Sequence, residues 1–141
     1  MEFREFIAEK QEQLRQVHGE GPLLVSSSSV EILRQACKSK KVSLLLNRNF
    51  HPDVGLLRDA KEHGKPFIIP ISMLLGRSGI ERGALMARMR YFVGLCVQLG
   101  APFILFAGGN DELLRKSEEE LAAIGECLGL SHDQALWSMR E

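Results

Sequence analysis

The sequence predicts an α/β protein carrying a parallel sheet of about four βα units, and three observations carry that prediction. Four short apolar segments recur, Pro22-Leu23-Leu24-Val25, Val42-Ser43-Leu44-Leu45-Leu46, Phe67-Ile68-Ile69-Pro70-Ile71 and Phe103-Ile104-Leu105-Phe106. Helical segments with start signals lie between them, and glycines stand where those helices should stop. Each apolar segment is too short for a helix and too apolar for a strand with one solvated face, so each reads as a buried parallel strand.

Ahead of the first strand, Phe3, Phe6, Ile7, Leu14 and Val17 fall within one arc of a helical wheel, which predicts a leading amphipathic helix over residues 1–19. After it come the βα core, 22–109, and C-terminal helices over 117–141. Ser28-x-x-Glu31, Ser78-x-x-Glu81 and Ser117-x-x-Glu120 fit the capping box, in which a hydroxyl and a carboxylate satisfy two orphaned backbone donors; Ser131-x-x-Gln134 is a weaker fourth. His51-Pro52-Asp53 opens another helix, with Pro52 suited to a first helical turn. Gly64, Gly100 and Gly129 follow helical patterns and can take the left-handed conformation that ends a helix. The longest helix, from Gly79 to Leu99, is apolar nearly all round over Tyr91-Phe92-Val93-Gly94-Leu95-Cys96-Val97. That predicts burial on more than one side, against the sheet and terminal helices or at a subunit interface.

The chain has 141 residues, which suits one domain over 1–141. A closed eight-unit barrel takes about 250 residues, so an open or partial (half) TIM-like barrel is expected, its edge covered by a terminal helix, a partner or a second copy. Apolar residues make up 45% and charged residues 26%, the balance of a folded soluble chain. With 18 basic and 18 acidic residues there is no whole-molecule field for nucleic acid or an anionic membrane, so any anion binding must be local. No membrane-length apolar run or signal-peptide pattern occurs, which places the protein in the cytoplasm. Cys37, Cys96 and Cys127 are widely spaced and odd in number, and read as buried reduced thiols.

Little in the sequence offers catalysis. His18, His51, His63 and His132 form no metal-binding spacing, so no metal and no cofactor is expected. His51 alone falls where α/β proteins build sites, and there its role in the turn explains it. Ser26-Ser27-Ser28-Ser29 lacks a nucleophile elbow and a base. Phe106-Ala107-Gly108-Gly109-Asn110-Asp111 lacks a phosphate-loop pattern, and its acids oppose an anion. No catalytic residue is assigned.

The arginines are the remaining candidates. At about 100° per residue, Arg82, Arg88 and Arg90 point in directions about 80° to 160° apart, so the long helix has no basic stripe. Arg77 and Arg82 nevertheless lie near a helix start, and Arg48 occupies another strand-to-helix loop. These loops either form a small basic rim or carry ordinary surface arginines paired with Glu81 and other acids.

The segment from Asp53 through Pro66-Phe67-Ile68-Ile69-Pro70-Ile71-Ser72-Met73-Leu74-Leu75, with the helix from Gly79 to Arg90, resembles the ribonuclease P protein component 3 family, the thirty-kilodalton subunit of archaeal and eukaryotic ribonuclease P. In that family a similar strand ends in a Ser-x-Leu-Leu turn before an Arg-containing helix. The resemblance extends more weakly back to Leu23 and forward to Leu130, and makes this chain a short or N-terminally truncated member. It implies a partial barrel related to those of the polymerase and histidinol phosphatase group. It also implies a non-catalytic subunit of the RNA-based endonuclease that removes 5′ leaders from precursor tRNA, partnered by ribonuclease P RNA and a small ferredoxin-like protein. Carried over residue by residue, the RNA-binding positions are Arg82 first, then Arg77 and Arg88, with Arg48 assigned by position. Two other readings stand beside it: a homodimer in which half-barrels complete each other, and a metal-dependent phosphoesterase.

Overall fold

The described structure begins with a strand where a helix was expected. The computed structural model describes residues 4–10, 13, 21–106 and 118–138. Strand β1 (Arg4–Ile7) pairs in parallel with β2 (Leu23–Ser27), Arg4 opposite Leu23 and Ile7 opposite Ser26. The leading helix is thus corrected over 4–7, while residues 14–18 lie outside the described residues. The wheel arc does not stay on one buried side: Phe6 packs against the main core, whereas Ile7 beside it stays 54% exposed. What decides the local structure is the edge of β2, whose backbone groups must find partners. Strand β1 supplies them, and the pairing is flanked by Arg4 N donating to Pro22 O at 3.0 Å and Ala8 N to Ser26 O at 2.9 Å.

Three more strands, β3 (Leu44–Asn47), β4 (Phe67–Pro70) and β5 (Phe103–Phe106), continue the sheet in the order β1-β2-β3-β4-β5, every neighbouring pair parallel. Helix α1 (Val30–Cys37) follows β2, α2 (Val54–His63) follows β3, and the short α3 (Ser72–Leu75) and long α4 (Gly79–Leu99) follow β4. Helices α5 (Glu118–Cys127) and α6 (His132–Ser138) follow β5. Sequential parallel strands with alternating helices are the wall of a partial TIM-like barrel, with five strands rather than four.

The strands read as continuous apolar runs because both faces of the sheet are buried. On one face Leu23, Val25, Leu45, Phe67, Ile69 and Leu105 join the helices in the main core. On the other, Leu24, Leu44, Ile68 and Ile104 form a second cluster, with Leu46 and Phe106 packed against it. This inner cluster is already between 2% and 9% exposed in the single chain, so it does not need a second copy to be covered.

Helix ends follow the expected chemistry with changes of residue. Ser29 caps α1, its hydroxyl accepting from Ile32 N at 3.4 Å, and Ser28 turns elsewhere. Asp53 caps α2 through Leu56 N at 2.8 Å, so Pro52 lies outside the helix. Ser78 is extended but makes no side-chain cap bond, while Ser117 lies outside the described residues. The reciprocal box forms at α6: Ser131 N donates to Gln134 Oε1 at 2.9 Å, and Gln134 N to Ser131 Oγ at 3.1 Å. Gly64 and Gly100 end α2 and α4 with φ of 65° and 75°, where a side chain would be strained.

Helix α4 is less enclosed than its sequence predicts. Leu85, Met89, Phe92, Val93 and Cys96 form the buried stripe, whereas Tyr91 is 63% and Val97 41% exposed. One helical face meets the sheet, and the apolar residues between its buried positions turn outward.

Cys37 and Cys96 are buried and Cys127 is exposed, which corrects the expectation of three buried thiols. Burial pushes the Cys37 thiol up to about 11 and the Cys96 thiol up to about 12. Because the thiolate is the nucleophile, one thiol of the native protein is expected to react with a disulfide reagent at pH 8 and three after unfolding in guanidinium. Fast reaction of more than one native thiol would contradict this packing.

Candidate functional site

Parallel pairing brings the carboxyl ends of all five strands to one rim, and the loops leaving that rim hold most of the candidate residues. Glu9, just beyond β1, ties three of these loops together. Its carboxylate accepts from the Ser28 hydroxyl and, through Oε1, from Ser28 N at 3.3 Å and Arg48 Nη1 at 2.7 Å. Those contacts, led by the Ser28 hydroxyl and helped by the Arg48 charge, hold the Glu9 carboxyl below the usual carboxylate range. A residue expected on an amphipathic helix is therefore part of the rim. The Arg48 guanidinium is engaged in this ion pair, with its side chain still 45% exposed.

The loop after β3 is held under tension. Asn47 is buried, its amide donating to His51 O at 3.0 Å, while its Oδ1 has no hydrogen-bond partner among the described residues. Phe50 has φ of 50°, which costs a non-glycine residue about 1–3 kcal/mol. Its ring is buried edge-on to Phe92 of α4, with centroids 5.8 Å apart. The loop is thus pinned to the long helix by aromatic packing.

Arg77 and Arg82 come together at the end of α3. Arg77 Nη1 donates to Met73 O at 2.6 Å, and Arg82 Nε donates to Leu74 O at 3.0 Å and Arg77 O at 2.7 Å. The last turn of a short helix leaves carbonyl capacity for side chains, and the two arginines use it at Met73 O and Leu74 O, beside the backbone bond from Arg77 N to Leu74 O, while both residues remain exposed. Arg88 stands apart from this pair. It lines a groove of about 610 Å³ with Asn49, Phe50, His51, Pro52, Ala87 and Tyr91, between the β3–α2 loop and α4. The four arginines are therefore split into an α3 pair, an Arg48–Glu9 ion pair and an Arg88 groove.

Tyr91 and Arg90 were not selected by sequence. Tyr91 lies in an apolar run, but Ile80, Ala84, Ala87, Tyr91, Gly94 and Gln98 share one helical stripe, a pattern of small and polar neighbours that marks an outward face. All six are exposed. Residues 107–111 and His18 lie outside the described residues. Ser27 and Ser29 serve local turns, the Ser27 hydroxyl accepting from Ser29 N at 3.0 Å. Among the described residues no group of three or more His, Cys, Asp and Glu side chains could hold a metal ion, and no helix is long and apolar enough to cross a membrane.

No family model and no curated protein matches the chain. A chain of the cryo-EM structure of archaeal ribonuclease P with mature tRNA matches 97% of it with a TM-score of 0.80. The fold is that of a ribonuclease P chain. Sequence identity is 19%, so the likeness is one of fold, and the protein spans 63% of the length of that ribonuclease P chain. Within that fold, the turn from Ser72 to Arg77 and the start of α4 lie at the carboxyl ends of the strands, where barrels carry their sites.

Proposed function

We propose that the protein is a subunit of ribonuclease P that supports the catalytic RNA in removing 5′ leaders from precursor tRNA, contributing RNA contacts rather than catalytic groups. The observation that carries this reading is the ribonuclease P fold over 97% of the chain, and the resemblance of residues 53–90 to protein component 3 points the same way. Exposed arginines at the carboxyl rim supply the chemistry for phosphate contacts. Arg77 and Arg82 are the leading pair, since their charges are fixed in place by carbonyls rather than neutralised by a carboxylate. Arg88 adds a groove contact, and Arg48, paired with Glu9, contributes least. The protein partner in this reading is the small ferredoxin-like subunit.

Binding to ribonuclease P RNA is expected to weaken with salt. In the Arg77→Ala, Arg82→Ala double variant, the slope of log K against log salt should become shallower by about 1 for each phosphate left without its arginine. An unchanged slope in a folded double variant would remove these two residues from the RNA interface, and salt-independent or absent binding would sink the function itself.

A further inference from the structure

The chain's one tyrosine stands on the outward stripe of α4 between two grooves. On one side is the groove shared with Arg88 and the His51-Pro52 segment. On the other is a groove of about 480 Å³, lined by Ala87, Arg90, Tyr91, Gly94, Leu95 and Gln98. Ala87 and Gly94, one turn to either side of the ring, leave space against it. Gly94 has nothing within 4 Å of where a Cβ would sit. Arg90 is placed by packing over the Gly129 turn, its Nε 3.5 Å from the position of a Cβ there. Among the described residues neither Arg88 nor Arg90 has a carboxylate within 4 Å.

We propose that Tyr91 is a stacking post for an unpaired RNA base, with Arg88 and Arg90 receiving the backbone phosphates on its two sides. This rests on the ribonuclease P reading for the choice of RNA and for Arg88, and assigns Tyr91 and Arg90, which that reading does not name. An exposed aromatic face with flanking guanidinium groups suits a single strand, because every base has a π-face and every linkage a negative charge. A duplex keeps its bases stacked on one another and offers the ring nothing. The neighbouring loop is held by the Phe50–Phe92 contact, so the wall of the Arg88 groove is in place before any strand arrives.

The test uses the full chain, a short single-stranded oligoadenylate, the same RNA as a duplex, and intact ribonuclease P RNA. In a Trp137→Phe background, where the emission comes from Tyr91 alone, stacking should quench that emission with the single strand and not with the duplex. Tyr91→Ala should weaken single-strand binding about 5- to 150-fold, while Tyr91→Phe, which keeps the ring face, should bind like the parent. Arg88→Ala and Arg90→Ala should each reduce the salt slope by about 0.7. An unchanged unfolding midpoint in guanidinium shows that each variant is folded. If Tyr91→Ala binds the single strand as tightly as the parent, or emission is unchanged at saturation, the proposal is overturned. Retained salt-sensitive binding of ribonuclease P RNA would then leave the broader function standing. If Tyr91→Ala instead loses the ferredoxin-like subunit while binding RNA normally, the face is a protein interface and the stacking post is overturned as well.

Discussion

Replacing Phe92 by alanine is expected to lower the stability of the fold by about 3–5 kcal/mol. Phe92 is fully buried and meets Phe67 of β4 edge-on at 5.0 Å and 89°, and Phe50 at 5.8 Å and 61°. One ring thus joins the long helix, the sheet and the loop after β3. Truncation leaves a cavity at that junction and removes the packing that opposes the strain at Phe50. Phe92→Leu keeps most of the volume and should lose about 1 kcal/mol for each ring pair removed. Guanidinium unfolding curves of the parent and both variants measure the order. A loss below about 1 kcal/mol for Phe92→Ala would mean that the junction collapses and refills.

The same junction shows why some of the fold was legible in the sequence and some was not. Strands β2 to β5 were readable because helices cover one face and an inner cluster the other, so Leu24 and Val25 are both buried and the run needs no alternation. Strand β1 was not, because Arg4-Glu5-Phe6-Ile7 is an edge strand with three of its four residues exposed. Its conformation is set by the unpaired edge of β2, about 20 residues away, which local periodicity does not encode. Caps were legible as chemistry and less so as positions. Four consecutive serines offer several hydroxyls, and Glu9, from β1's loop, draws Ser28 away and leaves Ser29 to cap.

The site was legible in proportion to its dependence on chain order. A strand-to-helix loop lies at the carboxyl rim of any parallel sheet, so Arg48 and Arg77 could be placed there from sequence alone. The partner of Arg48 could not: the Arg48–Glu9 pair spans 39 residues and needed β1 to be recognised as a strand. Tyr91 was read as core or subunit interface for a related reason. An apolar run of seven residues surrounds the helix, and only the contact of Phe92, Val93 and Cys96 with the core shows which side is inside.

Gly125 is the position where adding atoms should do the most damage. It lies in α5 where α6 and β5 converge, and a Cβ built on it would stand 2.8 Å from Ala135 Cβ and 3.0 Å from Leu105 Cδ1. Neither neighbour can swing away, since Ala135 has no further side chain and Leu105 is 3% exposed in the core. Helix propensity alone would favour any replacement of a mid-helix glycine by alanine, by about 1 kcal/mol. Overpacking at about 1–3 kcal/mol opposes that gain, so Gly125→Ala should be destabilising and Gly125→Val, with two more buried carbons, should lose about 3 kcal/mol. Gly83, exposed in α4 with nothing within 4 Å of a built Cβ, isolates the propensity contribution. Gly83→Ala should raise stability by about 1 kcal/mol in the same unfolding assay. Opposite signs for one chemical change at two helical glycines would place the difference in the α5–α6–β5 packing, whereas a stabilising Gly125→Ala would mean that α6 does not close on α5 as described.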